Sequence, residues 1–360
     1  MQSKNKIKCK VICHSNSRHL SQLFTGFYLL HRAKCIDLSQ EIHQLNFKDE
    51  KKPQHLRDAK HAHLRVIIND TIKVYYDAHD SCEVDENILP EVDFYFKRSY
   101  LPESISDQHK AKIYPLGLFY ELYPDYVDRF ALKRALVLDR GVRLLGETLR
   151  ALKLSFFFTP RLQVMHSLPN FFQTPRILFM TKAWDPYDNP DRLPQKIEER
   201  KRINQTRASC IKLLKKEFGP LFYGGFAHTD YAMKHFKDLL LSDNRFSSKR
   251  HYINLLKSYP ICLATTGLHG SIGGKFAEYI AFAKAIVSEK LNYQVTGNLE
   301  PGKNYLEFSS PEKCVDLVSQ LFDNRALRNS LMMNNYRYYL SYLRPDSLIL
   351  NTLLTALKKF

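Results

Sequence analysis

Leu263-Ala-Thr-Thr-Gly-Leu-His-Gly-Ser-Ile-Gly-Gly-Lys-Phe-Ala-Glu-Tyr-Ile-Ala-Phe-Ala-Lys-Ala-Ile-Val-Ser-Glu289 reads as strand, glycine-rich turn, helix and second strand. The apolar run from Ile261 to Ala264 forms the first strand, and Gly267, Gly270, Gly273 and Gly274 give a tight loop without bulk. Phe276, Tyr279, Ile280 and Phe282 put one apolar side on the helix, and Ala285-Ile-Val starts the next strand. Backbone N–H groups at the start of such a helix favour an anion, and Lys275 adds charge there. Glu278, one turn further on, can accept two hydroxyls at the same opening. A ligand carrying phosphate and hydroxyls, such as a nucleotide-sugar, suits both.

The same rhythm runs outward. Arg176-Ile-Leu-Phe-Met180 reads as a buried strand ending in Thr181-Lys-Ala-Trp-Asp185, followed by a long basic helix over Arg192 to Phe218 that Gly219 stops. Pro220 to Phe226 repeats strand and glycine turn, and His251 to Ser258 is helical. Beyond the opening stretch, Ser309 and Glu312 form a capping box for a helix with Val315, Val318 and Leu321 on one side. Two more helices follow, over Arg325 to Tyr338 and Leu348 to Leu357. The alternation predicts an α/β fold with parallel sheets in two Rossmann-like domains facing across a cleft. Proline and polar punctuation in Phe156 to Pro160 and Leu168 to Pro175 places the boundary near residue 173.

In the first half, Lys8 to Cys13 forms a strand leading into His14-Ser-Asn-Ser-Arg-His19 and a helix near Leu20 to Leu30. Loops at the carboxyl end of a first strand hold ligands in open α/β sheets. Ser15, Ser17, Arg18 and His19 are therefore pocket candidates, although a serine there also caps a helix. Lys51 to His63 is a polar surface segment. Leu64 to Ile68 and Ile72 to Tyr76 are strands around the turn Asn69-Asp-Thr, and Asp77-Ala-His-Asp-Ser81 is a second polar strand end. Asp77, His79 and Asp80 there are candidates for a general base or for binding acceptor hydroxyls, and the carboxylates also for capping a short helix. Val92 to Phe96 is a strand that leads to the cations Lys97 and Arg98, and Arg129 to Phe158 is a helix interrupted at Gly141 and Gly146.

A chain of 360 residues with 44% apolar content supports two packed domains. No apolar run reaches the roughly 18 residues needed to span a bilayer, and the N-terminal residues lack a secretory apolar core. Seven cysteines without a metal-like cluster point to reduced intracellular thiols. The net charge of +17 is spread out rather than gathered in a recognition helix, so no nucleic-acid partner is expected. It fits instead a cytoplasmic protein associating peripherally with the cytosolic face of the inner membrane.

From Arg176 to Tyr342 the pattern resembles the carboxyl domain of GT-B glycosyltransferases, being similar to bacterial group 1 and spore-protein-like members. The resemblance implies that Lys182 or Arg207 contacts donor phosphate. It places Gly270, Ser271, Gly273, Gly274 and Lys275 at the phosphates and Glu278 on the nucleotide ribose. Residues 1–172 become the acceptor-side domain and 173–342 the nucleotide-sugar domain, with 343–360 a terminal helix packing back on the first. Two positions depart from the family. The glutamate that many retaining members carry eight residues before Glu278 is Gly270 here, and the glycine of the family turn is Ala283 or Lys284.

The implied reaction moves a sugar from a nucleoside diphosphate to a cell-surface glycan or lipid-linked acceptor. An inverting enzyme needs a base, for which His19, Asp77 and Asp80 compete; a retaining one can use the phosphate oxygen. No Asp-x-Asp motif is present, so no metal or further cofactor is expected. A non-catalytic nucleotide-sugar-binding protein and a nucleotide-sugar epimerase share the same architecture. A dinucleotide dehydrogenase does not fit, because His14 to His19 lacks the glycine fingerprint.

Overall fold

The computed structural model describes residues 6–43, 62–154, 158–243 and 248–358. Met1 to Asn5, most of the polar segment from Lys51, and the linker aromatics Phe156 and Phe157 lie outside the described residues. The chain divides into two compact α/β units, each with its own sheet. Among the described residues no helix is long and apolar enough to cross a membrane.

The first unit comprises Met1–Gln163, Tyr293–Gly297 and Leu340–Phe360. Its strands are β1 (Ile7–Cys13), β2 (Ile36–Ile42), β3 (His63–Ile68), β4 (Ile72–Asp77), β5 (Phe94–Lys97) and β6 (Ile113–Pro115), in the order β2-β1-β3-β4-β5-β6. The sheet is mixed, not parallel as expected: β3 runs antiparallel to both β1 and β4. The cause lies in Asn69 and Asp70, both at positive φ (50° and 66°), which turn the chain straight back into a hairpin. Because β3 is reversed, the carboxyl ends of β1, β4, β5 and β6 still share one edge.

Its helices are α1 (Ser21–Arg32), the single turn α2 (Asp107–Lys110), α3 (Arg129–Leu138) and α4 (Gly141–Ala151), with α11 (Pro345–Leu357) returning from the end of the chain. Gly141 opens α4 at φ 57°, whereas Gly146 sits inside it and breaks nothing. Leu20, Leu23 and Phe27 of the α1 region meet Leu348, Ile349 and Leu353 of α11 over Val11, Val66 and Val74. The two helices approach so closely that a Cβ on Gly26 would lie 2.3 Å from the Pro345 carbonyl oxygen.

The second unit comprises Val164–Asn292 and Asn298–Tyr339. Residues 164–172, expected with the first half, group here because Ser167 N–H and Oγ–H donate to the Ala281 and Phe282 carbonyls at 3.2 and 3.1 Å. Strands β7 (Ile177–Thr181), β8 (Phe222–Phe226), β9 (Ile261–Ala264), β10 (Ala285–Glu289) and β11 (Tyr305–Phe308) form a sheet ordered β11-β10-β9-β7-β8. Every pairing in it is parallel. Parallel strands covered on both faces read as unbroken apolar runs, as Ile177 to Met180 and Ile261 to Ala264 do.

Its helices are α5 (Pro194–Phe218), α6 (Asp230–His235), α7 (Lys249–Ser258), α8 (Gly274–Ala281), α9 (Pro311–Asp323) and α10 (Arg325–Tyr338). The cap of α9 is Ser310, not Ser309: its hydroxyl accepts from Lys313 N–H at 3.2 Å. Ala283 follows α8 at φ 50°, in the left-handed region that favours glycine.

Candidate functional site

In the second sheet β7 has its sequence successor β8 on one side and β9 on the other. Chain connections diverge there, and loops leaving the carboxyl ends of two such neighbours part to leave an opening. The loops after β7 and β9 and the start of α8 form this edge.

Arg207 holds the edge together. It is buried on α5 and donates to Lys182 O at 2.7 Å, Thr265 Oγ1 at 2.9 Å and Thr266 O at 3.0 Å. Burial draws its pKa down to about 10, against the pull of Glu289. Glu289, at the end of β10, accepts from Thr266 N–H at 2.7 Å and its hydroxyl at 3.0 Å. Arg207, expected on the donor phosphate, therefore clamps the two loops. Lys182 keeps an exposed side chain at the end of β7, its Nζ 5.7 Å from the centre of the Trp184 ring.

The glycine loop is shaped by its own backbone. Gly267 N–H donates to Ser271 O at 2.8 Å and Ser271 N–H to Leu268 O at 3.1 Å, leaving Ser271 buried. Gly270 adopts φ 65°, where a side chain would be strained. His269 sits at φ 61°; its N–H donates to Glu199 Oε1 at 2.6 Å, and its Nδ1 lies 3.1 Å from Lys196 Nζ. The loop is thus stapled to the first turns of α5. Gly273 precedes α8 without a capping side chain, and a Cβ placed on it would meet nothing within 4 Å. Together with Gly274 it leaves the helix start open to close approach.

Lys275 and Glu278 follow. Lys275 Nζ donates to Met180 O of β7 and lies 5.3 Å from the centre of the Tyr252 ring. Burial lowers its pKa to about 7, Glu278 opposing and Lys249 and Arg207 adding to the shift. Glu278 is buried and accepts a hydrogen bond from Lys249 Nζ through Oε1. Lys249 lies 5.1 Å from the same Tyr252 ring, so two ammonium groups flank one aromatic beside one carboxylate. Sequence reading passed over Lys249, 29 positions before its partner, because nothing local marks it.

The carboxyl edge of the first sheet has a different character. Asp77 is buried and receives four hydrogen bonds: His79 N–H at 2.9 Å, His79 Nδ1 at 2.7 Å, Lys97 Nζ at 2.9 Å and the Tyr95 hydroxyl. Burial alone would raise its pKa; the bonds from His79 and the Lys97 charge outweigh that and hold it near 2. A carboxylate so occupied is a poor proton acceptor but a good orienter. Donation from Nδ1 to Asp77 leaves the proton-accepting lone pair of His79 on Nε2, and the ring is 29% exposed. His79 is the histidine that the sequence sets beside the two carboxylates of this strand end as a possible base.

Exposed Asp80 pairs with Arg98 at 3.2 Å. His19 stacks on Phe119 at 5.6 Å with Nδ1 3.5 Å from Arg98 NH1. His19, Asp77 and Asp80 thus gather around Lys97 and Arg98, on one strand-end edge.

No protein-family model matches the sequence, and no curated protein matches it in sequence. Among solved structures the chain is similar to the C-terminal domain of LpcC, a group 1 family glycosyl transferase of Francisella tularensis. That match has 14% identity and a TM-score of 0.33, covering 49% of this chain and 95% of the other. It is similar to S. aureus MnaA in complex with UDP, at 10% identity and a TM-score of 0.44 over 98% of this chain and 97% of the other. It is also similar to an S. aureus TarM mutant bound to UDP, alpha-GlcNAc-glycerol and fondaparinux, at 13% identity and a TM-score of 0.34 over 69% of this chain. The chain spans about half the length of TarM, 51%. These are likenesses of chain path, and the site is read from this chain's own residues.

Proposed function

We propose that the chain is a nucleotide-sugar-dependent glycosyltransferase whose donor binds in the second unit, at the start of α8. One observation carries this: the uncapped, glycine-built start of α8 lies where the β7 and β9 loops diverge, with Lys275 in its first turn and Glu278 in its second. The diphosphate lies against the α8 backbone N–H groups, Lys275 and Lys182. Glu278, already holding Lys249 through one oxygen, offers the other to the ribose hydroxyls. Trp184, between Lys182 and Arg200, provides a ring for the base.

In the reaction the bond between the anomeric carbon and the diphosphate breaks, its electrons leaving with the phosphate. The acceptor oxygen forms the new bond to that carbon and gives up its proton. Lys275 and Lys182 stabilise the charge developing on the leaving group. On the inverting route His79 Nε2 takes the proton, with Asp77 holding the ring and stabilising the imidazolium. A glycan or lipid-linked acceptor, met at the cytosolic membrane face, suits the basic surface.

Calorimetric titration with a panel of nucleoside diphosphates, UDP among them, tests the donor site. Lys275→Ala and Glu278→Ala should each weaken binding about tenfold or more while the protein stays folded. Folded wild-type protein that binds none of the panel would sink the reading.

A further inference from the structure

A separate recess lies in the first unit, between α1 and the α3–α4 hairpin, with a cavity volume of about 30 Å³. Three guanidinium groups line it: Arg134 of α3, Arg150 of α4 and Arg161. Two carboxylates line it too, and both are engaged. Asp128 Oδ1 caps α3, accepting from Phe130 and Ala131 N–H at 2.9 and 3.0 Å, and Glu147 pairs with Arg150. Arg150 lies over the Tyr123 ring at 3.9 Å, and Arg161 donates to Pro124 O at 2.8 Å and Arg150 O at 3.1 Å.

Arg134 is the unfinished member. It is 5% exposed and lies 3.8 Å over the Phe24 ring. With its amide turned so that the nitrogen meets Phe130 O, Gln40 accepts from Arg134 NH1 at 2.9 Å. Asp128 Oδ2 stands 3.8 Å from NH2, beyond hydrogen-bonding distance. Nε is buried and has no partner among the described residues. Burying a guanidinium is costly unless its N–H groups are satisfied. Here the edge formed by Nε and NH2 lacks an acceptor, and that edge matches the two oxygens of a carboxylate or phosphate.

We infer that this recess binds the anionic group of a ligand, a carboxylate or a phosphate monoester, through the Nε and NH2 edge of Arg134, with the rest of the ligand on the solvent side. The Tyr123 ring and the Ser17 and Ser21 side chains line the same recess. No residue of the proposed donor site takes part, so this site stands or falls without that reading.

The test is calorimetric titration of the full chain with glucuronate, glucose 6-phosphate, inorganic phosphate and neutral glucose. At least one anionic sugar should bind, and glucose should not. Glucuronate alone would identify a carboxylate ligand; glucose 6-phosphate with inorganic phosphate would identify a phosphate. Arg134→Lys keeps the charge but loses the two-point edge, and Arg134→Gln loses both; each should weaken binding about tenfold or more. In the wild type, the Arg134 Nε–H resonance should shift as the ligand saturates, a readout that needs no variant to fold. No anion bound by folded protein, glucose bound as well as the anions, an unmoved Nε–H resonance, or variants that bind like wild type would each overturn the inference.

Discussion

The two strand-end edges are built from similar residue types and balance charge in opposite ways. In the first unit one carboxylate, Asp77, is surrounded by donors and closes the account internally with buried Lys97. In the second, Lys275 and Lys249 lie beside the carboxylate of Glu278 and Lys182 stays exposed at the end of β7, while Arg207 is turned to the loops and Glu289 is taken up by Thr266. A closed network fixes the orientation of a neighbouring group, here His79. A network with cations in excess attracts an anion from outside.

The largest effect should come from breaking the closed side. Asp77→Ala leaves Lys97 buried at 1% exposure without its counter-charge and should cost about 3–5 kcal/mol in urea unfolding. The pH dependence follows from the pKa near 2. Asp77 is ionised more readily in the folded state, so its stabilisation is full above about pH 4 and fades as pH falls through about 2. Asp77→Asn should lose that part of the acid transition.

On the second edge Arg207→Met removes three donated hydrogen bonds and should cost about 2–3 kcal/mol. Nucleoside diphosphate affinity should fall with it, because the loop that carries Lys182 loosens. Arg207→Lys should not restore either, since an ammonium cannot span the same three acceptors. Full restoration by lysine would mean that charge, not the fork, is what the loops need.

Lys275 separates the two edges by its proton. Its folded pKa near 7 lies below the ordinary lysine value of about 10.4, so the folded state binds fewer protons between these limits. Stability contributed by this group therefore rises with pH across that window. An anion placed beside it restores the charge. At pH 8, diphosphate binding should take up as much as one proton, measured calorimetrically in buffers of different ionisation enthalpy, and Lys275→Met should abolish the uptake. Equal uptake in the variant would assign the proton elsewhere. The smallest effect belongs to Ala283→Gly, which relieves φ 50° and should add about 0.5–1 kcal/mol.

The legible parts of the chain were those where local sequence and fold agree. Ile177 to Met180 and Ile261 to Ala264 announce buried parallel strands, and Gly267 to Gly274 announce the loop at their ends. Asn69-Asp-Thr signalled a tight turn, yet the reversal of β3 was missed because helix–strand alternation elsewhere outweighed it. Partnerships across long sequence distances were not readable at all. Nothing near Asp77 says that Lys97 and Tyr95 will enclose it, nothing near Glu278 points to Lys249, and nothing in the basic run of α5 sets Arg207 apart from its neighbours. Residue type was visible; whether a charge would be answered from within depended on what the fold brought beside it.

The contact of Gly26 with Pro345 bears on how the protein is made. The core of the first unit includes Leu348, Ile349 and Leu353, residues synthesised after all of the second unit. On the ribosome, the segment that begins the chain must wait on the order of ten seconds or more for its last helix, at ordinary elongation rates. The second unit is a continuous stretch but for the excursion at Tyr293–Gly297, and can finish folding during that interval. The half that emerges first is thus the half completed last, with the apolar side of α1 exposed to chaperones until α11 arrives.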